Sequence, residues 1–180
     1  MSRLFPHTSY AEDQPLARSL LTFHVLCRGL NTGGVIGTAI LAAEGVTSRL
    51  RTRPAAAVAL PPPPPLLHRY LRRCGTSTAA TLGLVSIGLT ARMWGRSEIE
   101  WKDRSWRLLE NKAQVELDDF TVGGAAAGVG AFVAAMPRAA RSSLGWRGYI
   151  GSAGAGSMLG MVLYLAGTTL LRGKAQKSEE

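Results

Sequence analysis

Four stretches of this chain run almost without charge, and the charged residues crowd into the connections between them. The uncharged stretches cover about residues 16–43, 75–91, 120–136 and 148–171. The fourth, GYIGSAGAGSMLGMVLYLAGTTLL, is the plainest, bounded by Arg147 and Arg172. As a helix it reaches about 36 Å, enough to cross the ~30 Å hydrocarbon core of a bilayer. The third, FTVGGAAAGVGAFVAAM, ends at Pro137, and the second lies between Arg73 and Arg92. Both are at the short end of the spanning range. The first carries His24 and Arg28. Its uncharged part, 29–43, would reach only about 22 Å, so the span must take in residues 20–27 as well. Arg28 then has to face protein, snorkel to the interface, or sit at a local break.

Between the second and third stretches the pattern changes. Ile99, Trp106, Leu109, Ala113 and Leu117 recur at helical spacing among charged residues, with Trp101, Leu108 and Val115 beside them. That describes one amphipathic helix over about 97–117 with a broad apolar face. Its tryptophans suit the headgroup level of a membrane. The pattern as a whole predicts an all-α membrane protein with four short Gly-rich transmembrane helices. An interfacial helix lies between spans two and three. Residues 1–15 are polar and read as an exposed, uncleaved tail, and 173–180 as a second polar tail. Residues 44–74 read as a loop, with five consecutive prolines at 61–65. A proline run is extended and cannot be helical, and it fits a stiff spacer better than an SH3-type ligand.

Composition adds a packing device. The chain has 21 glycines among 180 residues, and they fall at four-residue spacing. Gly29, Gly33 and Gly37 form a stripe in the first span, and Gly75, Ala79 and Gly83 in the second. Gly124 and Gly128 repeat in the third, beside Gly130 and Ala134, and Gly148, Ser152, Gly156 and Gly160 in the fourth. Lipid removes the hydrophobic drive between helices, so close backbone approach through small residues takes its place. The stripes predict a tightly packed bundle.

Charge adds an orientation. The net charge is +9 and the isoelectric point near 10.4. Nucleic-acid binders gather such an excess on a polar face; here it sits in loops that flank apolar segments. Residues 44–74 carry six basic groups against Glu44, and 138–147 carry Arg138, Arg141 and Arg147 with no acid. Residues 92–119 carry six basic and seven acidic groups. Positive-inside logic places the two basic loops on the cytoplasmic or matrix side and both termini opposite. Arg69, Arg72, Arg73, Arg138 and Arg141, with Trp101, Trp106 and Trp146, are the expected lipid or partner contacts. The expected partners are other subunits of a membrane complex and anionic lipids, not nucleic acid.

Candidate chemistry is sparse. Cys27 and Cys74 form no CxxC pair, and His7, His24 and His68 lie in separate segments. The spacing matches neither a zinc site nor a redox motif. Residues 75–81, GTSTAAT, lack the lysine of a phosphate loop. Asp118 and Asp119 read as the opening of the third span, where carboxylates complement the helix dipole. His24 reads as lying near an interface, and Glu44 as a partner for a basic residue. The expectation is no catalytic, cofactor-binding or metal-ligating residue. A membrane enzyme using His24 or Cys27 is the weaker alternative.

The four-span pattern, carried by RGLNTGGVIGTAILAAEG and DDFTVGGAAAGVGAF, resembles the Tim17/Tim22/Tim23 class of mitochondrial inner-membrane proteins. The stretch EIEWKDRSWRLLENKAQVELDDFTVGG resembles more specifically a fungal accessory subunit in the membrane arm of respiratory complex I (NADH:ubiquinone oxidoreductase), the NUXM type. The likeness covers about residues 29–171, without the proline loop. It implies an inner-membrane, multi-pass protein of the respiratory chain that supports the proton-pumping arm without catalytic residues of its own. It implies the matrix for the basic loops and the intermembrane space for both termini, with a structural phospholipid such as cardiolipin as the one small-molecule companion. A Tim17-type translocase component is the alternative and calls for a polar or acidic track inside the bundle. In the sequence the spans show only Arg28 and a few hydroxyls for that purpose.

Overall fold

The computed structural model describes residues 5–50 and 64–177, with side chains to residue 170. Arg51, Arg53 and the prolines at 61–63 lie outside the described residues, as do the tail ends at 1–4 and 178–180. A 3₁₀ turn at Ala11–Asp13 precedes six helices: α1 (Ala17–Leu50), α2 (Leu66–Met93), α3 (Glu98–Glu110), α4 (Lys112–Ala135), α5 (Arg138–Leu144) and α6 (Trp146–Lys177). The described residues contain no strand. α1, α2, α4 and residues Trp146–Leu170 of α6 are each long and apolar enough to cross a membrane. The protein is an all-α, multi-pass membrane protein.

The helices run past the uncharged stretches. Of the expected 44–74 loop, residues 44–50 belong to α1 and 66–74 to α2, and the expected C-terminal tail continues α6 to Lys177. A helix does not stop where the lipid stops; arginine and lysine are good helix formers and carry it into the headgroup layer. α2 starts directly after Pro65, and α4 ends two residues before Pro137, because proline cannot continue the ladder. Glu44 ties the overhanging ends together. Its carboxylate accepts from Arg69 at 3.1 Å and also pairs with Arg73.

The expected single interfacial helix over 97–117 is two pieces. Asn111 leaves the helical conformation, with φ −85° and ψ 88°, and its side chain accepts the Gln114 backbone N–H. Asparagine is a strong N-cap, so α3 closes at Glu110 and residues 112–119 become the first two turns of span three. At the other end of α3, Glu100 accepts the Ser97 backbone N–H at 3.0 Å. That bond, helped by Arg96, holds its carboxyl below the usual carboxylate range.

The N-terminal segment is largely exposed, as expected, yet it is not a free tail. Trp106 donates its indole N–H to the Thr8 carbonyl at 2.9 Å, and Lys102 donates to the Glu12 carbonyl at 2.7 Å. Gln14 is buried and donates to the Pro6 carbonyl at 2.8 Å. Phe5 stacks obliquely on Phe23, beside a small core of Leu20, Leu109 and Val115. The segment therefore straps α3 to α1. Trp106→Phe removes one hydrogen bond worth about 1 kcal/mol. Faster amide hydrogen exchange across residues 5–15, with the spans unchanged, is the expected outcome.

Within the bundle α1 lies antiparallel to α2, and α4 to α6, while α6 also packs on α1 and α2. The inward faces are made of small residues and the outward faces of large ones: Leu84, Ile87, Leu159, Leu163 and Leu170 are exposed. That arrangement inverts a soluble core and suits a lipid solvent. Both basic connections lie at one end. There Leu71, Phe132 and Leu144 cluster, and His68 bonds Ser143 at 3.2 Å. The 3₁₀ turn and α3 cover the other end, where Arg18 of α1 pairs with Glu98 of α3 at 2.8 Å.

Candidate functional site

Near the end capped by α3, the first span presents His24, Arg28 and Asn31 at helical spacing, and α4 presents Gln114, Asp118 and Thr121. The two helices run parallel, so the two rows meet in register. Asp118 is fully buried. Its Oδ2 lies 2.6 Å from His24 Nδ1, and its Oδ1 accepts from the Arg28 guanidinium at 2.9 Å. Arg28 also donates to the Gln114 side-chain oxygen at 2.8 Å. One turn deeper, Asn31 donates to Thr121 Oγ1 at 2.9 Å, and Thr121 donates to the Leu117 carbonyl at 2.7 Å. Asn31 Oδ1 is buried without a hydrogen-bond partner among the described residues.

The electrostatics follow from the donor inventory. Arginine only donates, so Asp118 Oδ1 is the acceptor in its bond to Arg28. A carboxylate in low dielectric is tolerable only when paired and hydrogen-bonded, and here both oxygens are engaged. The backbones of α1 and α4 approach each other little. Long polar side chains bridge the gap that glycines close elsewhere. The ladder is thus a clamp between the first and third spans, built where each enters its apolar stretch.

This geometry corrects two sequence expectations. Asp118 does not open α4; Asn111 does, and Asp118 lies two turns inside. His24, near the end of the bundle that α3 covers, is a member of the clamp and only 15% exposed. The interior offers Asp118, Gln114 and Asn31 as well as Arg28 and hydroxyls. The matched i, i+4, i+7 polar spacing on both segments is the signal in the sequence, though spacing alone does not say that the two segments touch.

The glycine stripes are mostly placed as expected. A Cβ at Gly33 or Gly37 would strike the α2 backbone at Thr78 or Cys74, and Gly29 sits against Leu82 and Val85. Gly124, Gly128, Gly156 and Gly160 line the α4–α6 contact, each approaching the opposite backbone. Gly83, expected to pack, faces open space: α1 meets α2 at that height through Leu82 and Val85, and Gly83 lies off that contact. The contacts at Gly34, Gly151 and Gly154 lie outside the four stripes and arise because α6 serves three neighbours. Hydroxyls reinforce the α1–α2 seam. Ser77 donates to the Gly33 carbonyl at 2.7 Å and Thr81 to the Gly29 carbonyl at 2.9 Å.

The expected contact residues divide. Arg69 and Arg73 are engaged by Glu44, while Arg72 is exposed. Trp106 holds the N-terminal segment, and Trp101 lies under Arg18 at 5.6 Å. Trp146 is half exposed under Arg147, close to Arg138 and Arg141. Cys27 and Cys74 are buried free thiols, and His7 bonds Glu110 at 3.1 Å. No group of three or more metal-ligating side chains occurs among the described residues. No protein-family model matches the sequence, and no curated protein matches it.

Proposed function

We propose that this chain is a non-catalytic accessory subunit in the membrane arm of mitochondrial NADH:ubiquinone oxidoreductase, where it supports assembly or stability of the proton-pumping arm. The observation that carries the reading is the fold of the segment with the more specific likeness. Residues 98–124 form α3 and the head of α4, which dock the N-terminal strap and supply Gln114, Asp118 and Thr121 to the clamp. The stretch resembling a respiratory accessory subunit is therefore the stretch that organises this molecule. Its buried charges are spent on one another, as in a structural brace. On this reading the protein sits in the inner membrane, basic connections to the matrix and termini to the intermembrane space.

Blue-native electrophoresis of solubilised mitochondria, probed with antibody to this protein, tests the proposal. Co-migration with complex I is expected, together with loss of membrane-arm intermediates when the gene is deleted. Migration in a separate complex sinks it.

One observation favours a second reading, a Tim17-type translocase component. The interior carries a polar row with the acidic residue Asp118 and an unpartnered Asn31 oxygen. Site-specific crosslinking from Asn31 to an arrested precursor decides between them: adducts support the translocase and their absence the brace.

A further inference from the structure

At the basic end of the bundle, the turn formed by α5 and the start of α6 borders an open hollow of about 540 Å³, lined by Arg138, Arg141, Ser142, Gly145, Trp146 and Tyr149. Residues 137–147 contain three arginines and no acid. Among the described residues none of these arginines forms an ion pair, although Arg69 and Arg73 at the same end are held by Glu44. The Nε atoms of Arg141 and Arg147 are buried and have no hydrogen-bond partner among the described residues; of the two, Arg141 lines the hollow. Guanidinium N–H groups turned inward without acceptors cost free energy unless an acceptor arrives.

An apolar groove begins next to that hollow. Tyr149, in the hollow's wall, meets Phe132 edge-on at 5.1 Å between ring centres. Phe132 lines a groove of about 490 Å³ between α2, α4 and α6, which Gly128, Ala131, Ala155 and Gly156 line together with larger residues such as Leu67 and Met136. A cationic hollow lacking anions therefore opens beside an apolar channel running into the hydrocarbon layer. Trp146 and Tyr149 stand at the boundary, where aromatic rings prefer the headgroup level.

We infer that this is a binding site for one anionic phospholipid of the leaflet at the basic end. Its phosphate would be held by Arg138 and Arg141, and an acyl chain would lie in the groove between α2, α4 and α6. Charge complementarity selects the occupant. A zwitterionic lipid would bring its own cation to the arginines, and a soluble anion would leave the groove unfilled. The inference rests on the four-span membrane fold and not on which assembly the protein joins.

Native mass spectrometry of the delipidated full-length protein tests it, titrating dioleoylphosphatidylglycerol against dioleoylphosphatidylcholine. One tight equivalent of phosphatidylglycerol is expected, preferred over phosphatidylcholine by about thirtyfold, the equivalent of roughly 2 kcal/mol for two arginines at a membrane surface. Arg138→Gln with Arg141→Gln should abolish the preference. Ala155→Leu should weaken both lipids alike and leave their ratio unchanged. Arg72→Gln, which removes an exposed charge from the same end without touching the hollow, should change nothing. Unchanged helical circular dichroism and elution volume identify the variants that still fold. Equal binding of the two lipids overturns the inference. So does an Arg72→Gln effect as large as the double substitution, which would reduce the site to diffuse surface charge. Displacement of bound phosphatidylglycerol by millimolar inorganic phosphate would overturn the role of the groove.

Discussion

Gly156→Leu should leave little of this protein folded. A Cβ at Gly156 would overlap the Gly124 carbonyl oxygen and come within 3.0 Å of the Gly128 Cα. Those are backbone atoms of a helix and cannot swing aside as a side-chain tip can. Added methylenes in a packed interior cost about 1–3 kcal/mol when neighbours can adjust, and this contact should exceed that range. α6 is the main support of α4, so the helix that carries Asp118 would be pushed off the bundle, and the clamp would open with it. The check is the monodisperse fraction after detergent extraction, together with the thermal unfolding midpoint. Gly83→Leu is the matched comparison: it adds the same side chain where a Cβ meets nothing within 4 Å. The expected result is collapse of the first variant and wild-type behaviour of the second. Equal behaviour of the two would refute packing through glycine.

Asp118→Asn should be the next most damaging change. It keeps shape and volume but leaves Arg28 without its counter-charge and His24 without an ionic acceptor. Removing one partner of a buried ion pair costs about 3–5 kcal/mol. Arg28 is 29% exposed and can turn toward the headgroup layer, so the lower end, about 3 kcal/mol, applies here. Arg28→Gln alone should also destabilise, because the carboxylate would then be buried with only His24 beside it. The double variant Arg28→Gln/Asp118→Asn should recover a large part of the loss, since two neutral amides can bond each other across the same gap. A double-mutant cycle on unfolding in sodium dodecyl sulfate, followed by circular dichroism, measures the coupling. Additive losses would show that the two residues do not act as a pair. A separate outcome concerns function: the brace reading expects Asp118→Asn to lower abundance and assembly together, with specific activity per assembled complex retained.

The span count was legible in the chain because lipid imposes a one-dimensional rule: a segment that crosses must be long and uncharged over its crossing length. The glycine stripes were legible for a related reason. Residues four apart share a helix face, so Gly124 and Gly128, or Gly156 and Gly160, declare a smooth surface before any partner is known. Asn111 shows where that reading fails. The apolar recurrence through Leu109, Ala113 and Leu117 is continuous, and periodicity alone joins α3 to α4. A local hydrogen bond from Gln114 to the Asn111 side chain decides that the chain turns there. Gly83 fails in the opposite way: its spacing matches Gly75, but spacing says nothing about whether a second helix still covers that face of α2 at that height.

Asp118 is the clearest case of a residue whose meaning the chain alone does not hold. Next to Asp119 and just before an apolar run, it reads as a helix-start carboxylate. Ninety residues upstream, His24 and Arg28 read as an awkward edge to the first span. Only when α6 draws α4 beside α1, with the two running in the same direction, do these become one bonded cluster. By itself the sequence determined four crossings, the end of the bundle that carries the positive charge, and the faces able to pack closely. These follow from transfer free energy and helical repeat, which act locally along the chain. The tertiary structure decided which faces meet, which arginines are paired by Glu44 or Asp118, and which form no ion pair among the described residues. Those outcomes depend on distances between residues far apart in sequence, and Coulomb and hydrogen-bond energies exist only once packing has fixed those distances.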